Sequence, residues 1–223
     1  MLEQTSIIRE KRKTVKITID REGNLTVYCP FGLSLKKVEE ILQSKRSLLE
    51  RKVNKAKMLT SKFAKIINME HILLFGNEYI IVPTTKVSKP CFTDEYFLIP
   101  KKFYDAGKVS FYIKKVVKEI AERVVVKRFK DIIQNYKFDV SKVIIGSYRA
   151  KWGSCDRFGV IKLNWRLSMV QPKLIDFVIF HELTHLKELN HSPKFYRELE
   201  KICPSWKESR AELKNYSFLL ELY

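Results

Sequence analysis

The chain contains little glycine, proline or cysteine. Its 223 residues include seven glycines, seven prolines and four cysteines, whereas 45% of them are hydrophobic. Disordered and low-complexity chains are rich in glycine, proline and polar residues, so this composition predicts a folded core. The cysteines lie far apart and include no CxxC pair, so we expect free thiols rather than a cysteine zinc site. They occupy positions 29, 91, 155 and 203.

Long apolar runs are also absent. The longest, Ile72–Phe75 and Phe177–Phe180, are much shorter than the roughly 20 residues that a transmembrane helix needs. The N-terminal segment MLEQTSIIREKRK holds no apolar stretch of signal-peptide length. The sequence therefore predicts a cytoplasmic protein without a membrane partner.

Acidic residues are scarce relative to basic ones. The chain holds 43 lysines and arginines against 25 acidic residues, which gives a net charge of +18. Residues 1–65 alone carry sixteen basic and seven acidic side chains. Such a charge attracts nucleic acids, acidic proteins or anionic surfaces. Because the basic residues are scattered rather than collected in a tail, an ordinary solvated surface explains them equally well. Nucleic acid is retained as a candidate partner.

Hydrophobic periodicity predicts a mixed α+β fold. Alternating apolar residues indicate a hairpin over 14–29, a β-rich segment over 71–100, and a second hairpin whose strands are 143–151 and 160–167. Helical spacing indicates helices over 35–65 and 110–136, one from Pro172, one after Ser192 and a last one over 205–220. We divide the chain into a β-rich, basic N-terminal part with one helix, residues 1–105, and a C-terminal part, residues 106–223.

Histidine is rare but clustered. Three of the four histidines lie at positions 181, 185 and 191, and Glu182 follows the first. On a helix, residues four apart project only about 40° from each other, so His181 and His185 can bind one metal ion. Glu182 is turned by about 100° and is placed to act as a general base on a water molecule. This HExxH arrangement is typical of zinc peptidases, whose zinc keeps an open position for water.

A third zinc ligand requires a break in the helix. On a continuous helix His191 would lie about 15 Å along the axis from His181 and point about 80° away. Asn190 tolerates the left-handed conformation that ends helices, and Ser192 with Pro193 favours the start of a new one. We therefore predict a helix end near Asn190 and His191 as the third ligand. Carboxylates remain alternatives, namely Glu188, Glu198, Glu200, Glu208 and Glu212.

The hairpin that precedes this helix is the expected edge of a substrate cleft. In zinc peptidases the substrate usually adds as a strand to an exposed edge above the active-site helix. This places Trp152, Gly153 and Ser154 near the cleft, although core packing explains Trp152 equally well. Cys155 is expected to be a buried structural thiol, and His71 an ordinary, partly buried histidine. Oxyanion stabilisation has four candidates: Tyr148, Arg149, Tyr196 and Tyr216.

Four segments of the sequence resemble the YgjP-like metallopeptidase family. They are KWGSC at 151–155, IKLNWRL at 161–167, IDFVIFHELTHLKELNHSPKFY at 175–196 and CPSWKESRAELK at 203–214. The resemblance implies a zincin-like C-terminal half, with His181, His185 and His191 as zinc ligands and Glu182 as catalytic base. The family is itself similar to SprT-like proteases, which act on proteins attached to DNA. Tyr196 stands where the family usually has tryptophan, a difference that bears on substrate contacts.

These observations favour a zinc-dependent metallopeptidase that acts on a protein or peptide. Two alternatives are a nucleic-acid-associated binding module, in which zinc supports the fold, and a zinc hydrolase of a non-peptide amide. Glu182 favours an enzyme, because a structural zinc site needs no base. The charge of +18 favours the binding module, or a protease that is recruited to DNA.

Overall fold

A computed structural model describes residues 5–223 and divides the chain into two compact units, Met1–Ile67 and Asn68–Tyr223. Both helices and small sheets are present, so the predicted α+β class is confirmed. The domain boundary predicted between residues 105 and 106 stays a prediction. No helix within the described residues is long and apolar enough to cross a membrane.

The first unit contains a three-stranded sheet. Its strands are β1 (Thr5–Glu10), β2 (Lys16–Ile19) and β3 (Leu25–Pro30), in the order β1-β3-β2. Strands β2 and β3 are antiparallel, with Ile17 opposite Val27, which confirms the hairpin predicted over 14–29. Strand β1 pairs in parallel with β3. The sequence analysis predicts no strand at the position of β1.

Three helices complete the first unit: α1 (Leu35–Ser44), α2 (Arg46–Lys62) and α3 (Ala64–Ile67). The prediction of one continuous helix over 35–65 is therefore wrong. At Lys45 the backbone N–H reaches back to the carbonyls of Leu42 and Gln43, and this tighter turn ends α1. The buried residues of α1 and α2 join those of β3 in one core, formed by Leu25, Val27, Cys29, Val38, Leu42 and Leu49.

The second unit begins with a four-stranded sheet and a long helix. The sheet consists of β4 (His71–Leu74), β5 (Asn77–Thr84), β6 (Cys91–Phe92) and β7 (Tyr96–Pro100), in the order β4-β5-β7-β6. After the short α4 (Lys101–Asp105) comes α5 (Val109–Tyr136), as predicted. Helix α5 buries one residue per turn along a single stripe, formed by Ile113, Val117, Ala121, Val125 and Phe129.

A second small sheet corrects the hairpin predicted from strands 143–151 and 160–167. Its strands are β8 (Lys142–Gly146), β9 (Gly153–Cys155) and β10 (Val160–Asn164), in the order β8-β10-β9. Strand β8 is parallel to β10, so those two segments form no hairpin. The hairpin joins β9 to β10 instead. Alternating side chains indicate a strand but not its direction. Strand β9 lies in the segment between the two predicted strands, where the sequence analysis predicts none.

The chain ends in helices that pack around α6 (Pro172–Thr184). A 3₁₀ helix, Trp165–Met169, connects β10 to α6. The later helices are α7 (Pro193–Ile202), α8 (Trp206–Leu213) and α9 (Leu219–Leu222), so the helix predicted over 205–220 is interrupted. Helix α6 is buried on nearly all sides, and the paired Arg128 guanidinium and Asp176 carboxylate link it to α5. This central helix carries His181, Glu182 and Thr184.

Candidate metal centre

Helix α6 ends earlier than its sequence indicates. The last helical residue is Thr184 rather than Asn190, so the predicted position of the helix end is wrong. The N–H groups of Leu186 and Lys187 donate to carbonyls three residues back, and these shorter bonds tighten the chain into turns. The predicted break before His191 is nevertheless confirmed. Helix α7 begins as expected at Pro193, and its Ser192 cap accepts a hydrogen bond from the N–H of Phe195.

The corner between α6 and α7 brings three imidazoles together. One ring nitrogen of each of His181, His185 and His191 lies within 4.8 Å of the others. The Nε2 atoms of His181 and His191 are 2.9 Å apart. Nitrogens bound to one tetrahedral zinc at 2.0–2.1 Å are separated by about 3.3 Å. The three donors are therefore grouped closely enough that they could hold one metal ion.

Neighbouring groups hold these rings in the state that a metal needs. The Nδ1 of His185 lies 3.1 Å from the carbonyl oxygen of Glu188. A carbonyl only accepts, so Nδ1 carries the proton and Nε2 keeps its lone pair. Burial lowers the pKa of His181 to about 3, with smaller effects from His185 and His191. The pKa of His191 is also lowered, mainly by burial. Neutral imidazoles are the form that binds zinc.

Phe195 forms a common floor beneath the cluster. Its ring centroid lies 5.0 Å from that of His181, 4.6 Å from that of His185 and 4.8 Å from that of His191. Phe195 is itself fully buried. Because this residue belongs to the first turn of α7, the position of α7 and the spacing of the three imidazoles depend on each other.

Glu182 lies beside the histidines in a nearly dry environment. Its side chain is 5% exposed. Burial raises its pKa to about 8, while the charge of Lys151 and a hydrogen bond from the N–H of Cys155 act in the opposite direction. A β-carbon on Gly153 would lie 2.7 Å from Oε1 of Glu182, so only glycine allows this approach. The sequence placed Gly153 in the cleft but gave no sign of this contact.

Cys155 is half-buried rather than fully buried, and it is a free thiol. Burial is the main reason that its pKa rises to about 11, and the charges of Glu182 and Asp156 add to the effect. The side chain is therefore a protonated thiol near neutral pH. A protonated thiol is a poor metal ligand and a poor nucleophile. These properties agree with the structural role expected for Cys155.

Asn164 fixes the segment that leads into β9. Its side chain is completely buried. The Nδ2 group donates to the carbonyl of Tyr148 at 2.7 Å and to that of Lys151 at 3.0 Å. The Oδ1 atom accepts from the N–H of Arg166 at 3.2 Å. The two bonds that Nδ2 donates hold residues 148–151 against the end of β10, shortly before the glycine that touches Glu182.

A cleft of about 400 Å³ opens beside the histidines, between α6, α8 and the start of β9. Trp152 and Gly153 line it, as predicted residues of the substrate cleft. Ser154 and Tyr196 do not line this cleft. The hydroxyl of Ser154 accepts a hydrogen bond from Lys151 at 3.0 Å. The hydroxyl of Tyr196 accepts one from Arg210 at 3.3 Å, and its ring stacks on Trp206.

Other side chains named from the sequence are engaged away from the cleft. Among the oxyanion candidates, Tyr148 packs against Gly146 and Tyr216 is buried. Arg149 lies near Arg166, whose pKa is lowered first by burial and then by the charge of Arg149. The alternative carboxylate ligands Glu188, Glu198, Glu200 and Glu212 form ion pairs with lysines. Arg210 does line the cleft, and the sequence reading had not named it. The only sequence signal was its spacing of four residues from Lys214.

Comparison with known proteins relates most of the chain to one family. The profile of the YgjP-like metallopeptidase domain matches residues 13–216. No curated protein matches the chain. Among solved structures, the crystal structure of the zymogen of the metallopeptidase abylysin from Pyrococcus abyssi matches with a TM-score of 0.37 and 23% identity. That match covers 40% of this chain and 91% of the abylysin chain. The chain belongs to the YgjP-like metallopeptidase family.

Proposed function

We propose that this protein is a zinc-dependent peptidase in which His181, His185 and His191 hold the metal and Glu182 is the general base. The convergence of three imidazoles, with one ring nitrogen of each within 4.8 Å of the others, carries the proposal. The buried carboxylate beside them supports an enzyme rather than a structural zinc site, which needs no base. Within this proposal, residues 106–223 form a zincin-like catalytic domain and residues 1–105 an accessory part.

Zinc bound at this site supplies a Lewis acid that makes a water molecule more acidic and polarises the substrate carbonyl. Glu182 accepts the proton of the attacking water on its carboxylate and then donates it to the leaving amine nitrogen. A base that both takes and returns a proton near neutral pH works best with a pKa close to the working pH. In the metal-free protein burial raises the pKa of Glu182 to about 8, and the positive charge of a bound zinc would lower it, which favours the carboxylate form that accepts a proton.

The substrate backbone is proposed to lie along β9. Within the described residues, β9 pairs only with β10, so one of its edges has no partner strand. A peptide in extended conformation can add to such an edge through main-chain hydrogen bonds. Gly153 stands at the start of β9 in contact with Glu182, which brings the edge strand and the base together.

Comparison of the wild type with Glu182→Gln tests the proposal. Both proteins are loaded with zinc, their metal content is measured, and each is incubated with an unfolded protein in the presence and absence of DNA. We expect equal zinc content, cleavage by the wild type and a loss of at least 100-fold in the variant. Equal cleavage by the two proteins would remove Glu182 from the mechanism.

The same experiment separates the alternatives. Salt-sensitive DNA binding without proteolysis by either protein would favour the nucleic-acid-associated module. Hydrolysis of small amides without cleavage of any peptide would favour the non-peptide hydrolase. Cleavage that occurs only when DNA is present would combine the peptidase with a DNA partner.

A cytoplasmic location remains a prediction, and fractionation of cells that express the protein tests it.

A further inference from the structure

Two basic side chains line the cleft beside the candidate metal centre. Arg210 and Lys214 are four residues apart and therefore lie on the same face of the chain at the end of α8. Both are exposed at the cleft. Within residues 5–223 neither makes an ion pair with a carboxylate, whereas the neighbouring Glu212 pairs with Lys173. The cleft thus contains two cations that form no ion pair within the described part of the chain, although the buried Glu182 lines the same cleft.

Arg210 is held in place by its surroundings. Its Nη1 donates to the hydroxyl of Tyr196 at 3.3 Å, and its guanidinium lies 5.9 Å from the centroid of that ring. Tyr196 in turn stacks on Trp206, with ring centroids 4.7 Å apart. An arginine anchored in this way has lost much of its rotational freedom before a ligand arrives, which favours binding.

The remaining walls of the cleft are apolar, apart from His181, Glu182, His191 and Ser217. Phe177 and Val178 of α6 are 4% and 3% exposed, and Leu213 and Leu220 on the opposite side are each 6% exposed. Cations next to such walls are only partly hydrated, so their interaction with an anion is stronger than in open water. The same walls offer contact to an apolar side chain. A ligand that fits both features carries an apolar group next to a negative charge.

We propose that this cleft is a subsite for a substrate carboxylate next to an apolar residue, with Arg210 and Lys214 as its two contacts. The inference rests on the proposed peptidase function and names the class of peptide that the site selects. The planar guanidinium of Arg210 suits a carboxylate because two N–H groups can donate in parallel. Lys214 adds a second, mobile positive charge. The carboxylate belongs either to an acidic side chain or to the C-terminus of the peptide.

Binding to zinc-loaded Glu182→Gln protein tests the subsite without cleavage. Fluorescent peptides share one apolar residue and differ only in a free or amidated C-terminus and in a glutamate or glutamine side chain. We expect at least one carboxylate peptide to bind about tenfold more tightly than the peptide that lacks both charges. The pair of peptides that shows the difference identifies the source of the carboxylate. Equal affinity of all four peptides would overturn the inference.

Variants then assign the effect to the two cations. Arg210→Gln and Lys214→Gln, each placed in the Glu182→Gln background, are expected to remove most of the preference for the carboxylate peptide. Lys207→Gln is the matched control, because Lys207 is a basic residue of the same helix whose side chain lies over Trp206 and does not line the cleft. Zinc content verifies the folding of each variant, and Lys214, which is exposed, offers the milder substitution. A preference that survives both substitutions would refute the assignment.

The result can be separated from the test of the peptidase itself. A carboxylate preference in binding without cleavage by the wild type would leave the subsite in place and contradict the peptidase. Cleavage by the wild type without such a preference would leave the peptidase in place and contradict the subsite. Displacement of the peptide by a short oligonucleotide at equal concentration, lost in Arg210→Gln, would assign the cations to phosphate and overturn the inference.

Discussion

At the scale of single residues, the proposed base and the strand beside it are in direct contact. The carboxylate of Glu182 approaches the backbone of Gly153 so closely that a methyl group at that position would meet three of its atoms within 3.0 Å. The glycine thereby fixes where the carboxylate can lie. Since general base catalysis depends on placement to within about an ångström, this contact is expected to control activity.

Gly153→Ala should therefore damage catalysis without removing the metal. The new methyl group forces the Glu182 carboxylate or strand β9 to move, and we expect a loss of about 100-fold in kcat/KM. Zinc content should stay at the wild-type value, since none of the three histidines is touched. Gly32→Ala is the control, because a β-carbon there meets nothing within 4 Å. Full activity of Gly153→Ala would show that the contact is unimportant.

The sequence identified those residues of the site whose relation is local. His181, Glu182 and His185 follow from the geometry of one helix, and their selection required no tertiary information. The contact of Gly153 with Glu182 and the place of Arg210 in the cleft both join segments that are distant along the chain. The hydrophobic periodicity of a segment does not show which distant segment will pack against it.

At the scale of elements, the corner between α6 and α7 sets the position of the third histidine. His191 directly precedes Ser192, whose hydroxyl caps α7 by accepting from the N–H of Phe195 at 3.3 Å. The ring of Phe195 lies beneath all three imidazoles. The capping bond of Ser192 therefore links the first turn of α7 to His191, which precedes it, and to Phe195, which lies beneath the three imidazoles.

Ser192→Ala is expected to weaken both the fold and zinc binding. Loss of an N-cap typically costs about 1 kcal/mol of stability. In this helix the loosened first turn also carries Phe195, so zinc affinity should fall by about tenfold. Isothermal titration with zinc and denaturant unfolding measure the two effects.

Ser34→Ala provides the comparison for this variant. Ser34 caps α1 in the same manner, with its hydroxyl accepting from the N–H of Lys37 at 3.3 Å. Its substitution should reduce stability by a similar amount and leave zinc affinity unchanged. If the two variants changed zinc affinity equally, the capping bond at α7 would have no special relation to the metal centre.

Element boundaries were the less predictable part of the fold. The start of α7 follows from Ser192 and Pro193, which are local signals. The end of α6 at Thr184 does not, because Leu186 continues an apolar spacing that looks helical in sequence. The sequence did not indicate the direction of β8 either. Alternation gives the face of a strand but not its partner, and a parallel pairing depends on how the chain crosses between the strands.

At the scale of the whole molecule, all residues of the candidate centre belong to the unit Asn68–Tyr223. Its core includes the buried stripe of α5 and the nearly enclosed α6. We expect residues 68–223, produced alone, to fold and to bind one zinc ion. Circular dichroism and metal analysis provide the test. Aggregation of the fragment, or zinc binding only in the full chain, would show that residues 1–67 are needed for the site.

The stability of the metal-free protein should depend on pH through Glu182. Burial raises its pKa to about 8, from an ordinary value of 4.5. Between these pH values the folded protein keeps a proton that the unfolded chain has lost, so the free energy of unfolding falls as pH rises. The slope is on the order of 1 kcal/mol per pH unit. Urea unfolding of chelator-treated wild type and Glu182→Gln at pH 5 to 8 should show the decrease, relative to the variant, only in the wild type.

His181 contributes with the opposite sign in acid. Its pKa is lowered to about 3 from an ordinary value of 6.5, so the unfolded chain binds the proton first. Stability is therefore lost as pH falls below about 6.5. Because His181 is present in both proteins, the difference between wild type and Glu182→Gln isolates the carboxyl. Parallel curves over the whole range would contradict the raised pKa of Glu182.

The side chain of Asn164 has an evolutionary consequence. It donates twice, to the carbonyls of Tyr148 and Lys151, and accepts twice from Arg166, from its backbone N–H and, at 3.5 Å, from its Nη1. Aspartate has nearly the same shape and is one nucleotide substitution away, yet it would face two carbonyl oxygens with a negative charge instead of two donors. Glutamine keeps the donors but is one carbon longer in a fully buried space. Natural variation at this position should therefore be strongly restricted, even though the residue takes no part in the chemistry.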